Sequence, residues 1–134
     1  KSKENPVYYV QYCYARINSL FRSLQLKINA PVELDLDNFN LNDYENKILR
    51  KILDWPKVID IASKKYEPHR LPFYLYDLAT LFHSYWSKGN SDESYRFLSN
   101  GKIKNINTLA IIKLVSITIK NGMDILGVSL PEKM

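Results

Sequence analysis

Residues 72–86 run through Phe73, Tyr74, Leu75, Tyr76, Leu78, Ala79, Leu81, Phe82, Tyr85 and Trp86, with only Asp77, Thr80, His83 and Ser84 interrupting them. Pro72 opens this segment as a helix, and it reads as one to about Trp86. A helix that is apolar nearly all round has no solvent face to offer, so other helices must surround it. The segment therefore belongs at the centre of a bundle, and the rest of the chain must supply the cover.

That cover is legible on both sides. Asn5-Pro6 is a helix start, a capping side chain followed by proline at the first helical position. Val7, Val10, Tyr14, Ile17, Phe21 and Leu24 follow as one stripe and predict a helix over residues 6–27. Residues 28–41, with Pro31, Asp35 and Asp37, read as a loop long enough to be functional or mobile. Asn42-Asp-Tyr-Glu45 has the form of a capping box, and Tyr44, Ile48, Leu49, Ile52 and Leu53 make the apolar face of the helix it opens. Trp55-Pro56 breaks that helix and starts another, with Val58, Ile59, Ala62 and Tyr66 expected inward. Pro68 and Pro72 then bracket a hinge before the central helix.

Residues 87–107 are polar, hold Gly89 and Gly101, and are expected to form a loop with a short turn near 95–98. Residues 109–119 are rich in β-branched side chains, and propensity alone favours a strand there. A helix is the better reading. Thr108 can cap it, Asn121-Gly122 can stop it, and no other strand in the chain offers its backbone a partner. Leu109, Ile112, Ser116, Ile119 and Met123 then face one way, with Ile111, Val115 and Thr118 beside them. The expected fold class is all-α, a bundle of about five helices, with residues 1–134 one domain.

Several classes fall away on composition. Apolar residues make up 46% of the 134 and charged residues 25%, which supports a core and excludes wholesale disorder. No run approaches the roughly 18 apolar residues of a membrane-spanning helix, so no membrane role is expected. The first apolar stretch contains Tyr, Gln and Arg, which is not the pattern of a signal peptide. The single cysteine, Cys13, rules out a disulfide framework and a cysteine-based zinc site and points to a reducing, cytoplasmic compartment. The chain opens on Lys1 rather than Met, as expected of a processed chain or an excised fragment.

No catalytic constellation is present. The glycines at 89, 101, 122 and 127 are scattered and build no phosphate-cradling loop. His69 and His83 lack metal-ligand spacing, and His83, among aromatics, reads as a satisfied, partly buried histidine. Cys13 reads as a packing residue, and Asp35 and Asp37 as solvated loop charges. Ser19, Ser63 and Ser84 lack a nucleophile-elbow sequence. A net charge of +5 together with ten Tyr, two Trp and five Phe leans towards RNA, because a tyrosine can stack on a base and hydrogen-bond at its rim. For any single ring, core packing remains the plainer explanation.

The first helix is more pointed. Tyr9, Tyr12 and Arg16 are spaced i, i+3, i+7 and share one side, opposite Val7, Val10, Ile17 and Phe21. Two rings and a guanidinium suit a base stacked on a tyrosine with a phosphate or base edge held by the arginine. The same face equally suits an interface with a neighbouring domain, or self-association.

Three blocks resemble one family. Asn5-Pro-Val-Tyr-Tyr-Val-Gln-Tyr-Cys-Tyr-Ala-Arg16 resembles the "NPxxYVQYAHAR" run that opens the C-terminal helical domain of bacterial arginyl-tRNA synthetases. Glu67-Pro-His-Arg-Leu-Pro-Phe-Tyr-Leu-Tyr-Asp-Leu-Ala-Thr-Leu-Phe-His-Ser-Tyr-Trp86 resembles their central helix. Lys120-Asn-Gly-Met-Asp-Ile-Leu-Gly-Val-Ser-Leu-Pro-Glu-Lys-Met134 resembles their carboxyl end, "KNGLDLLGVSAPERM". Cys13 and Tyr14 replace the family's Ala and His, so no role of that His carries over, and Leu130 replaces a small residue before Pro131.

The resemblance implies a DALR-type anticodon-binding domain of a class I synthetase. Its HIGH-like and KMSKS-like signatures and its N-terminal domain are absent from this sequence. The parent enzyme would use ATP and Mg²⁺ to join arginine to its tRNA, whereas this domain would hold no cofactor and no metal and would perform no catalysis. Its implied partners are the anticodon arm of arginine tRNA and the parent's own catalytic domain, not DNA. By resemblance, Tyr9, Arg16, a ring at the end of the central helix (Tyr85 or Trp86) and Met134 face the anticodon loop, with Tyr12 and Lys133 as secondary candidates. The Met134 carboxylate would accept from a base amine such as cytosine N4, the middle anticodon base being the one read. The alternatives are a frayed terminus for Met134 and, for the whole domain, docking on the catalytic domain with only weak RNA binding of its own.

Overall fold

The computed structural model describes residues 5–134. Five α-helices account for most of it: α1 (Pro6–Ser23), α2 (Asp43–Leu53), α3 (Trp55–Lys64), α4 (Arg70–Ser91) and α5 (Ile106–Leu126). Asp54 between α2 and α3 keeps right-handed helical backbone (φ −80°, ψ −11°), so the pair forms a nearly unbroken run and the bundle also counts as four helical runs. A hairpin, β1 (Leu98–Ser99) and β2 (Lys102–Ile103), pairs antiparallel with Leu98 opposite Ile103. The all-α expectation stands. The two short strands serve each other, and α5 remains helical because the strong β propensity of residues 109–119 is overridden by burial on several sides.

The central helix is where the sequence put it. α4 packs against α1, α2, α3 and α5, and Leu75, Leu78, Ala79 and Phe82 are fully enclosed. Around them lie Val10, Cys13, Ile17 and Phe21 of α1, Ile48 of α2, and Leu109, Ile112, Val115, Ile119 and Met123 of α5. Burial pushes the Cys13 thiol well above its ordinary pKa, which keeps it a neutral packing group.

Several boundaries differ from the sequence reading. α1 stops at Ser23, not near residue 27, because Gln25 turns left-handed (φ 58°). The Leu26 amide then reaches the Phe21 carbonyl, and the Gln25 amide that of Arg22, a Schellman closure without glycine. α3 ends the same way at Tyr66 (φ 52°), which throws that ring into solvent, 90% exposed, instead of inward. Leu53, expected on the apolar face of α2, is exposed at the junction with α3. α4 begins two residues before Pro72, which its first turn tolerates, and runs through Gly89 to Ser91. A Cβ at Gly89 would lie 3.2 Å from the Arg96 backbone, so the missing side chain admits the returning chain rather than breaking the helix.

α5 is capped by Asn105, not Thr108, and it passes straight through Gly122. At Gly122 a Cβ would stand 2.7 Å from a Leu75 methyl and 3.1 Å from the Trp55 ring, so this glycine lets α5 approach α4 and α3. The stop is Gly127, in left-handed backbone at φ 71°.

Two polar devices tie the cover together. The capping box forms as read: the Asn42 side chain accepts from the Glu45 amide, and Glu45 accepts from the Asn42 amide. Glu45 is also buried, and its other oxygen accepts from the Tyr85 hydroxyl at 2.8 Å and from the Thr108 hydroxyl, joining α2, α4 and α5. Asn107 pins the 28–41 segment. Its Oδ1 accepts from the Asp35 amide at 2.8 Å and its Nδ2 donates to the Asp35 carbonyl at 3.0 Å, as a strand neighbour would. That segment includes a 3₁₀ turn, Leu36–Asn38.

Candidate nucleic-acid interface

The face of α1 opposite its core stripe does carry Tyr9, Tyr12 and Arg16, but α4 covers part of it. All three are half-buried. α4 answers with Tyr76, His83 and Trp86, spaced so that they share one stripe. The Tyr9 ring lies 4.9 Å from the Tyr76 ring and 4.9 Å from the His83 ring, centroid to centroid. Tyr12 stacks on His83 at 5.5 Å with 14° between the planes. The Arg16 guanidinium carbon sits 4.3 Å from the Trp86 centroid and 5.2 Å from that of Tyr12. Arginine over indole is the strongest of the common cation–π pairs.

His83, which reads in the sequence as a satisfied, partly buried histidine, is the hub of this cluster. Its Nδ1 accepts a hydrogen bond from Arg16 Nη1 at 3.2 Å, which places the ring proton on Nε2. Nε2 is enclosed without a partner among the described residues, so the expectation of a fully satisfied histidine is half met. Burial, and then the neighbouring Arg16 charge, push its pKa down to about 4. The imidazole is therefore neutral at neutral pH. The 76, 83, 86 spacing was available in the sequence, but a helix apolar on every side hides which stripe matters.

Residues 128–134 complete the site. After Gly127 the Val128 amide bonds back to the Met123 carbonyl, and Val128 and Leu130 pack against the core. Gln11 Nε2 donates to the Ser129 carbonyl at 2.8 Å and Arg22 Nη1 to the Glu132 carbonyl at 3.2 Å. The tail is thus laid along α1 instead of fraying, and Gln11 and Arg22, which sequence reasoning passed over, hold it. Lys133 and Met134 line an open groove of about 410 Å³ with Tyr12, Ala15, Arg16, Ser19 and Arg22. Met134 is 50% exposed at its mouth.

Of the expected site residues, Tyr12, Arg16, Lys133 and Met134 line this groove, Trp86 sits beneath the Arg16 guanidinium, and Tyr9 lies alongside, against His83. Tyr85 does not join them. It is 3% exposed, and its hydroxyl points to Asn42 and Glu45 on the other side of α4. One residue along a helix is about 100° of rotation, which separates the neighbours Tyr85 and Trp86 into core and surface. The Tyr85 ring is a structural group, and Trp86 is the ring at the end of the central helix that carries the Arg16 guanidinium.

Rings, a guanidinium and a lysine around an open groove on a helical bundle have the form of an RNA-recognition domain. The chain belongs to the DALR anticodon binding domain family, matched over residues 10–134.

Its relatives agree. It is 50% identical over its whole length to an arginine–tRNA ligase of Pelagibacter ubique, of which it covers 23%. It is 41% identical to one of Jannaschia sp., again along its whole length and over 23% of the relative. Among solved structures, a putative arginyl-tRNA synthetase from Campylobacter jejuni matches 97% of the chain and 27% of its own, with a TM-score of 0.77 and 27% identity. The Thermus thermophilus arginyl-tRNA synthetase matches 94% and 21%, at a TM-score of 0.70 and 26% identity. The chain thus spans about a quarter of the length of the relatives it matches.

Proposed function

We propose that the chain is the anticodon-binding domain of an arginine–tRNA ligase and holds the anticodon arm of arginine tRNA. The observation that carries this is the tail: it brings Met134 across α1 to Arg16, so that a thioether, a guanidinium and the Tyr12 ring share one groove. Arg16 and Lys133 attract phosphate, while Tyr12 and the Met134 side chain meet unstacked bases. The middle anticodon cytosine is the base read in this groove. Tyr9 braces this layer from beside the groove. The domain works without a cofactor of its own. ATP and Mg²⁺ serve the ligation step in the catalytic domain of the parent enzyme, in the cytoplasm.

The test is fluorescence anisotropy with a labelled anticodon stem-loop of arginine tRNA, beside one with the middle cytosine changed, at two salt concentrations. Salt-sensitive binding that weakens with the changed base, and weakens again in Arg16→Ala, is expected. Equal binding to both stem-loops reduces the groove to a basic surface. Unchanged affinity and salt slope in Arg16→Ala refute the role of the arginine.

A further inference from the structure

We infer that His83 is a positioning residue for RNA recognition: it holds the Arg16 guanidinium on the Trp86 ring through an uncharged hydrogen-bond acceptor, so that the arginine meets RNA in one pose with its full charge available. The inference rests on reading the groove as the RNA site.

The geometry supports it in three ways. First, the His83 bond is the one hydrogen bond of the Arg16 side chain among the described residues, and Arg16 forms no ion pair among them. A carboxylate would fix a guanidinium just as well. It would also cancel the charge that phosphate must meet, so a neutral acceptor is the group that orients without neutralising. Second, the imidazole is itself clamped. Tyr12 stacks on one face at 5.5 Å, the Tyr9 ring is tilted against it at 4.9 Å, and Phe82 meets it at 69° and 5.6 Å. A ring held this way presents Nδ1 in a fixed direction. Third, the ring cannot easily leave its neutral state, because burial and Arg16 both oppose a proton on Nδ1.

The consequence is preorganisation. An arginine on a helix surface ordinarily samples many rotamers, and fixing it is a cost of binding. Here the pose is set before RNA arrives, with Trp86 below the guanidinium plane, His83 at one Nη and the remaining donors left to ligand. Tyr12 shares the arrangement, since its ring packs on both His83 and Arg16.

The experiment separates acceptor from packing. His83→Phe keeps a flat ring in the stack and loses the acceptor. His83→Asn loses the ring and places an amide oxygen near the position of Nδ1. Each is titrated with the labelled arginine-tRNA anticodon stem-loop beside the unaltered chain, Arg16→Ala and the double variant His83→Phe/Arg16→Ala. Expected are a loss of about three- to tenfold in His83→Phe, affinity within about twofold in His83→Asn, and no loss in the double variant beyond that of Arg16→Ala alone.

Three results overturn the inference. If His83→Phe binds as the unaltered chain does while Arg16→Ala weakens, the groove reading stands and the positioning role is wrong. If His83→Asn loses as much as His83→Phe, the ring matters for packing and not as an acceptor. If Arg16→Ala itself changes nothing, the groove reading fails and takes this one with it. Should His83→Phe lose the wild-type circular dichroism spectrum, His83→Leu serves as the acceptor-free variant under the same criteria.

Discussion

Tyr85→Phe divides stability from recognition more sharply than any other single change. The hydroxyl it removes donates to the Glu45 carboxylate at 2.8 Å and accepts from Asn42 Nδ2 at 3.0 Å. A buried hydrogen bond to a charged group contributes about 1.5–3 kcal/mol. Glu45 keeps the Thr108 hydroxyl and the Asn42 amide as donors, so the carboxylate is not abandoned, and the cost falls near the middle of that range, about 2 kcal/mol. Spread over the unfolding entropy of 134 residues, that lowers the melting temperature by about 7 °C. The ring is enclosed and stays in place, so affinity for the anticodon stem-loop holds within about twofold. The assay is a thermal melt by circular dichroism paired with anisotropy at a temperature where both proteins are folded. A melting temperature unchanged within a degree would show that the Glu45 network does not hold α2 to α4 and α5. A severalfold loss of RNA affinity would show that the ring reaches the RNA and that Trp86 has been wrongly preferred.

Trp86→Ala is the counterpart: it removes the surface under the Arg16 guanidinium and should weaken stem-loop binding by about 1–2 kcal/mol, some five- to thirtyfold in anisotropy. Gly122→Ala should destabilise by about 1–2 kcal/mol in urea unfolding despite alanine's better helix propensity, because the new methyl meets Leu75; a stabilised variant would mean that α5 does not approach α4 so closely. His83 should make the fold acid-sensitive. Its pKa falls on folding from near 6.5 to about 4, so the stability it contributes is complete above the higher value and is lost as pH falls through the lower. Because the ring is partly exposed, the contribution is about 1–2 kcal/mol, and the urea midpoint of His83→Phe should drop less between pH 7 and pH 4 than that of the unaltered chain. An equal drop would refute the depressed pKa.

The core was legible because the residues that make it repeat at the helical period. Val10, Tyr14, Ile17 and Phe21 of α1, and Leu109, Ile112, Ser116, Ile119 and Met123 of α5, are buried as their spacing requires, and the Asn42–Glu45 box forms as written. Helix ends were less legible. Two of them close on left-handed Gln25 and Tyr66, which carry no glycine to announce them, while Gly89 and Gly122 look like breakers and are points of close approach. What a glycine does depends on whether it is needed for a backbone angle or for the space beside it, and only the neighbouring element decides between them.

The groove shows the same division. Local sequence was sufficient to place Tyr9, Tyr12 and Arg16 on one side of α1, because a helix of known period relates positions a few residues apart without reference to anything else. It could not separate Tyr85 from Trp86, since both lie on a helix with apolar residues on every face and the partner elements choose which one is enclosed. Nor could it set His83 under Arg16, 67 positions away, or fold the tail back so that Met134 reaches the first helix through Gln11 and Arg22. Those contacts join segments far apart in the chain, and packing between helices, not any property of the segments alone, brings them together.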